Sequence, residues 1–228
     1  MDLDNDGSAD LDGSRVHHNA FSLGSMISTI SLAIDTTNAS ASLTAGGGVI
    51  LELLLDSEFF GPVIEGGLSG ANPLLIPNSS FYNNFIRDFQ NIIDAGDPIM
   101  FGARAAQNLP IHYMYVEGDG TVPNSSQNRL TQTMDATDVT APGPNIDPAG
   151  WTGRVCFTSG VHSSLIDPTA DPAVTAEMQA QTVVFAAGFP AGPLPGNGQT
   201  IFIQDPTIIG DFSAGDCQAP DRQRGNTQ

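Results

Sequence analysis

Lysine is absent from this 228-residue chain, and its 7 basic residues are all arginines. They face 25 acidic residues, so the formal net charge at pH 7 is −18. An electrostatic field of that sign repels nucleic acid phosphates and anionic lipid surfaces. The charge balance therefore excludes a nucleic-acid-binding protein, and it suits a saline medium in which salt screens the self-repulsion.

The sequence also lacks long hydrophobic runs and an N-terminal targeting signal. No apolar run is long enough to span a bilayer, and the opening Met-Asp-Leu-Asp has neither the basic nor the apolar region of a signal peptide. With 40% hydrophobic residues, 25 Gly and 16 Pro, the composition is globular and rich in loops. We expect no transmembrane segment and a single domain over residues 1–228.

Cysteine is scarce, since only Cys156 and Cys217 occur. One disulfide between them would tie the C-terminal tail to the body of the protein. Two separate buried thiols are the alternative, and the sequence leaves both open.

The N-terminal segment, residues 1–14, is acidic. Its sequence DLDNDGSADLDG places Asp at alternate positions before Gly7, as in loops that wrap oxygen ligands round calcium. An EF-hand loop ends in Glu, whereas Gly13 stands here, which favours an acidic turn without metal. A structural calcium ion remains the alternative, and no other cofactor is expected; its ligands would be Asp2, Asp4, Asp6 and Asp10.

Strands alternate with helices along the rest of the chain. This order predicts the α/β class, with a mostly parallel sheet flanked by helices and about four strands. Residues 57–80 and 135–150 are rich in Gly, Pro, Asn or Asp and are expected to be irregular. Strands are predicted before Ser22 and over 41–44, 111–117, 153–160 and 200–204. Helices are predicted after Ser22, after the glycines at 46–48, and over 81–94, 98–107 and 171–187.

The segment Ala20-Phe21-Ser22-Leu23-Gly24 lies between a predicted strand and a predicted helix. A serine nucleophile needs a tight strand-to-helix turn, with small residues two positions before and after it. The usual pattern is G-x-S-x-G, and Ala20 replaces its first glycine. A serine at this position also fits a simple helix cap. The backbone N–H of Leu23 would be one oxyanion-hole donor.

An acid and a histidine follow in the order that this chemistry requires. Asp119 ends a predicted buried strand in EGDGTVP, and we expect it to orient the base and stabilise the imidazolium. Glu117 is the competing carboxylate. His162 follows a strand in SGVHSSLIDP, where its imidazole can reach Ser22, whereas the other three histidines fit strand or core positions.

Several stretches together resemble the C-terminal half of a bacterial extracellular lipase or esterase of the α/β-hydrolase superfamily. They are DLDNDGSADLDGSRV with the FSLGS turn, then TAGGGV, EGDGTVPN, FTSGVHSSLIDP and EMQAQTVVFAAG. The resemblance implies a truncated α/β-hydrolase-like fold and the triad Ser22, Asp119 and His162. It also implies activity on carboxylic esters of fatty acids and an extracellular or cell-surface location.

The chain departs from that superfamily in one respect. About four further strands normally precede the nucleophile, and a loop among them gives the second oxyanion N–H. The strand before Ser22 should therefore be a sheet edge that needs a cover. We expect a second copy of the chain to cover it, giving a homodimer. The competing interpretation of the whole chain is a catalytically silent lipase remnant that acts as a calcium-binding or assembly module.

Overall fold

The computed structural model describes residues 16–145, 151–188 and 199–218, together with residues 3, 6–8 and 13 of the acidic segment. Its strands are β1 (His17–Phe21), β2 (Ser40–Thr44), β3 (Ile111–Val116), β4 (Thr137–Asp138), β5 (Gly143–Asn145), β6 (Thr152–Phe157) and β7 (Ile201–Ile203). Its helices are α1 (Leu23–Ile34), α2 (Ile50–Asp56), α3 (Gly61–Ala71), α4 (Ser80–Ile93), α5 (Gly102–Asn108), α6 (Asn124–Thr133) and α7 (Pro172–Ala187).

A five-stranded parallel sheet forms the centre, in the order β1-β2-β3-β6-β4. The strands β5 and β7 make a separate antiparallel pair. Every residue of β3 is buried, as expected for a central parallel strand with both faces covered. The predicted class, α/β with a mostly parallel sheet flanked by helices, is confirmed.

Helices cover both faces of this sheet. On one face, α1, α5 and α6 pack against Ile111, Tyr113 and Tyr115 of β3. On the other face, α7 packs against Met114 and Val116. Each such apolar side chain contributes roughly 1.5–3 kcal/mol when it leaves water, so both faces hold β3 in one register.

The parallel arrangement brings the segments after β1, β3 and β6 to the same end of the sheet. Ser22 follows β1, Asp119 follows β3 and His162 follows β6. The core therefore places the three candidate catalytic residues at the carboxyl ends of the parallel strands, where open α/β sheets bind ligands.

Some sequence predictions of local structure were wrong. Residues 57–80 are not irregular throughout, because α3 lies within them and begins with a proline in its first turn. The predicted helix 98–107 is a short 3₁₀ turn, Pro98–Met100, followed by α5. The predicted loop 135–150 contains β4, which is the fifth strand of the parallel sheet, and β5, which pairs with β7.

The helix α6 was not predicted at all. Its sequence, NSSQNRLTQT, has a single aliphatic residue, so it lacks the apolar spacing that marks a helix. Its inner face is instead polar, with Ser126, Gln127 and Thr131 buried beside Leu130.

A disulfide joins Cys156 in β6 to Cys217 near the C-terminal end of the described residues. Both sulfurs are buried in the cluster that lies under α1, α5 and α6. Of the two alternatives that the sequence left open, the structure shows the bonded one. No helix among the described residues is long and apolar enough to cross a membrane.

His112 is fully buried on β3, facing α7, and its Nε2 lies 3.1 Å from Gln181 Oε1. Burial lowers its pKa from 6.5 to about 3, against a smaller opposing effect of Gln181. His17, also facing α7, has its pKa lowered to about 4 by burial and by His18. Between these values and 6.5 the unfolded chain binds more protons than the folded one, so the free energy of unfolding falls as the pH falls.

We predict that His112→Gln makes the protein less sensitive to acid. The substitution removes the buried titrating ring but keeps an amide donor for Gln181. The slope of unfolding free energy between about pH 6.5 and pH 4.5 should decrease by up to about 1.4 kcal/mol per pH unit. Urea denaturation over that range measures it, and parallel pH profiles for variant and wild type would contradict the prediction.

Candidate active site

The turn between β1 and α1 holds Ser22 in a strained backbone conformation, with φ 55° and ψ −124°. Such a conformation costs roughly 1–3 kcal/mol and persists only where its surroundings enforce it. It raises the serine side chain above the sheet, as a nucleophile turn requires. Ala20 and Gly24 face each other across the turn, since a Cβ added at Gly24 would lie 3.8 Å from that of Ala20.

Ser25, which the sequence analysis missed, ties this turn to β2. Its buried hydroxyl lies 2.9 Å from the Ala20 carbonyl and 2.8 Å from the Thr44 carbonyl, and it accepts the Thr44 N–H at 2.9 Å. The Ser22 N–H donates to the same Thr44 carbonyl at 2.8 Å. These bonds enforce the strained turn, but no sequence signal separates Ser25 from an ordinary helical serine.

The carboxylate of Asp119 is fully buried and surrounded by donors. Its Oδ1 accepts the backbone N–H groups of Thr121 at 2.9 Å and Val122 at 3.0 Å. Its Oδ2 lies 2.8 Å from His162 Nδ1 and accepts the Gln127 side-chain amide at 3.2 Å. Four donors therefore meet the acceptor capacity of one ionised carboxylate.

Glu117, the competing carboxylate, does not reach the histidine. Its side chain is exposed, and its Oε1 accepts the backbone N–H of Cys217 at 3.3 Å. Asp119 is therefore the acid that the structure brings to His162.

The imidazole of His162 bridges Asp119 and Ser22. Its Nε2 lies 2.7 Å from Ser22 Oγ, and its ring contacts that of Phe21, with centroids 5.1 Å apart. Because an ionised carboxylate only accepts, Nδ1 carries the proton and Nε2 accepts the serine O–H. This arrangement can remove the serine proton as the oxygen attacks an electrophile.

The loop that carries His162 is anchored to α7. The carbonyl of Ser164 accepts the hydroxyl of Thr175 at 2.6 Å, and Ser159 donates to Asp171 at 2.7 Å. Asp171 also caps the first turn of α7, and the bond from Ser159 lowers its pKa, with backbone N–H groups of α7 contributing. The imidazole is thus positioned by a helix packed on the sheet.

The three other histidines lie outside this group, as the sequence analysis expected. Each has a ring nitrogen within hydrogen-bond distance of a side chain elsewhere; the pairs are His17 with Ser40, His18 with Ser28 and His112 with Gln181.

Leu23 is the first residue of α1, so its backbone N–H has no acceptor within the helix. It follows the candidate nucleophile directly and lies at the positive end of the helix dipole. This N–H is free of the helix's own hydrogen bonds, and its role as an oxyanion donor stays a prediction.

No protein-family model matches the chain, and no curated protein matches it. Solved structures do. Acylaminoacyl peptidase from Pyrococcus horikoshii matches with a TM-score of 0.50 and 15% identity, over 76% of this chain and 24% of that one. A puromycin-hydrolyzing peptidase from Mycobacterium tuberculosis matches with a TM-score of 0.50 and 12% identity, over 81% and 23%. The chain spans about a quarter of the length of these structures.

The chain has the α/β-hydrolase fold. At these identities the likeness extends to the fold alone. Both of these structures are peptidases, whereas the sequence resembles extracellular lipases and esterases. The two comparisons therefore agree on the fold and differ on the substrate class.

Within this α/β-hydrolase fold, β1 lies at the edge of the sheet that the described residues form. The exposed side of the neighbouring α1 carries Leu23, Ile27 and Ile34, which are 64%, 59% and 69% exposed. Residues 16–34 contain no Asp, Glu, Lys or Arg in a chain of net charge −18. Among the described residues β1 is therefore the predicted sheet edge, and it adjoins an uncharged, apolar helix face.

The segment that follows α2 contacts the acid loop. The Glu58 N–H and the Ser57 hydroxyl donate to the Gly120 carbonyl at 2.9 and 3.2 Å. Phe59, next in the chain, is 70% exposed. The segment from Ser57 to Phe59 thus lies against the acid loop at Gly120, next to Asp119 in sequence, and Phe59 is an exposed apolar side chain of that segment.

The predicted calcium ligands fall mostly outside the described residues, which include Asp6 but not Asp2, Asp4 or Asp10. The Asp6 carboxylate accepts the Ser8 N–H at 2.8 Å. The described ranges contain no group of three or more His, Cys, Asp or Glu side chains that could hold a metal ion. The calcium site stays a prediction.

Proposed function

We propose that this protein is a serine hydrolase of carboxylic esters, with Ser22 as nucleophile, His162 as general base and Asp119 as the orienting acid. The observation that supports it is the continuous relay of two bonds, 2.7 Å from Ser22 Oγ to His162 Nε2 and 2.8 Å from His162 Nδ1 to Asp119 Oδ2. The strained turn at Ser22 adds independent support, because such strain concentrates at functional sites.

In the proposed reaction, Ser22 Oγ attacks the ester carbonyl while its proton passes to His162 Nε2. Asp119 stabilises the imidazolium, and the Leu23 N–H donates to the oxyanion. The tetrahedral intermediate collapses as His162 protonates the leaving alcohol, which leaves an acyl-enzyme. His162 then takes a proton from a water molecule that attacks the acyl carbon, and it returns this proton to Ser22 Oγ as the second tetrahedral intermediate collapses and the acid leaves.

The substrate proposal rests on the resemblance to lipases and on apolar surroundings. Leu23 and Val161, the immediate neighbours of Ser22 and His162, are 64% and 43% exposed. Together with the exposed Phe59, whose segment contacts the acid loop, they favour esters of short to medium acyl chains, with no cofactor required. An extracellular location remains part of this proposal.

A peptidase is the second candidate, because the solved structures that match the fold bear peptidase names. The same three residues serve ester and amide cleavage, so the fold does not separate the two. If the chain is instead a catalytically silent lipase remnant, it should hydrolyse neither esters nor amides.

We predict turnover of p-nitrophenyl acyl esters that depends on the relay. Ser22→Ala should reduce hydrolysis to background, and Asp119→Asn should lower kcat roughly 10³- to 10⁴-fold, because an amide no longer selects the needed imidazole tautomer. The ester series and matched acyl p-nitroanilides, assayed at equal concentration, separate esterase from peptidase.

Glu117→Gln is the matched control, since it neutralises a carboxylate of the same loop that does not contact His162. It should retain wild-type kcat. Equal rates for wild type and Ser22→Ala would contradict the hydrolase proposal. Hydrolysis of the anilides without hydrolysis of the esters would show that the protein is a peptidase and not an esterase.

We further propose that a second copy of the chain covers the open edge of β1 and the apolar face of α1. Light scattering at micromolar concentration should then give about twice the chain mass of 23.8 kDa. Ile27→Lys should dissociate the dimer by placing a charge on that face, whereas Val183→Lys, on the exposed side of α7, should not. A monomeric wild type would contradict this interface.

A further inference from the structure

Gln127 is a fully buried polar residue on α6 that the proposed reaction does not use. Its Nε2 donates to the Val122 carbonyl at 2.7 Å and to Asp119 Oδ2 at 3.2 Å. Oδ2 is the same atom that faces His162. Gln127 and the candidate base His162 therefore contact the same carboxylate oxygen of Asp119.

The orientation of this amide follows from its neighbours, which are two acceptors at Nε2 and the phenol of Tyr113 near Oε1. Tyr113 OH donates to the Gly46 carbonyl and lies 3.5 Å from Gln127 Oε1. Burial raises the pKa of Tyr113 well above its ordinary value, so the phenol keeps its proton. The one phenolic proton is taken by Gly46, so the amide is oriented by the two acceptors at Nε2, which would both lose their donor if Oε1 faced them.

We infer that Gln127 is a positioning residue of the proposed serine hydrolase, which holds Asp119 Oδ2 against His162 Nδ1. The inference rests on the proposed function. The two backbone donors to Asp119 both bind Oδ1, so Gln127 is the described group besides His162 that restrains Oδ2. Without it the carboxylate can rotate, and its charge is less delocalised by hydrogen bonding.

Few titratable groups face this carboxylate. Tyr113 approaches it from β3 and His162 from the histidine loop. Glu58 lies against Gly120, the next residue in the acid loop. On α6, Gln127 contacts the Asp119 carboxylate, whereas Arg129 of that helix forms an ion pair with Glu52. A charge placed at position 127 should therefore act directly on the Asp119–His162 pair.

Three variants and one control test the inference by pH profiles of kcat/KM. Gln127→Met removes the donor at similar size and should lower kcat/KM about 10-fold, the equivalent of one hydrogen bond to a charged group. Gln127→Asn shortens the same amide and should retain only part of the activity. Gln127→Glu places a carboxylate beside Asp119 and should move the acid limb to higher pH by about one unit, because added negative charge favours the imidazolium.

Gln132→Glu is the matched control, because it adds the same charge to an exposed position of α6. Its acid limb should coincide with that of wild type. If Gln127→Met and Gln127→Glu lower only the melting temperature, while the limb and kcat stay at wild-type values, Gln127 is structural and the inference is overturned. If wild-type turnover does not exceed that of Ser22→Ala, the proposed function fails and this inference fails with it.

Discussion

The hydrogen bond between His162 and Ser22 depends on the packing of the parallel sheet, because the two residues follow different strands of it. Its two residues are 140 positions apart in sequence, and each follows a different parallel strand. Any shift of β1 against β6 would separate them. The buried faces of β3, which lies between β2 and β6, fix that register through apolar packing on both sides.

Local bonds then set the final positions of the three side chains. Ser25 holds the strained turn of Ser22, α7 holds the loop of His162, and Gln127 with two backbone donors holds Asp119. Each anchor is buried or lies within a helix cap. The candidate site is thus preorganised, with hydrogen bonds in place before a substrate arrives.

Much of this arrangement could be predicted from the sequence. The strand-to-helix turn at Ser22 and the strand ends before Asp119 and His162 carry clear patterns, and the order of these residues indicated the superfamily. The helix α6 could not be predicted, because its inner face is polar and makes no apolar repeat. Gln127 lies on that helix, so its contact with Asp119 could not be predicted from the sequence and is shown by the structure alone. The short strand β4, only two residues long, pairs through backbone bonds that leave almost no trace in side-chain type.

Mass spectrometry of the full chain after reaction with a fluorophosphonate probe tests most directly whether His162 activates Ser22. We expect a single adduct that peptide mapping assigns to Ser22, that is absent in Ser22→Ala, and that forms slowly in His162→Gln. Absence of an adduct, or an adduct on a different residue, would contradict it.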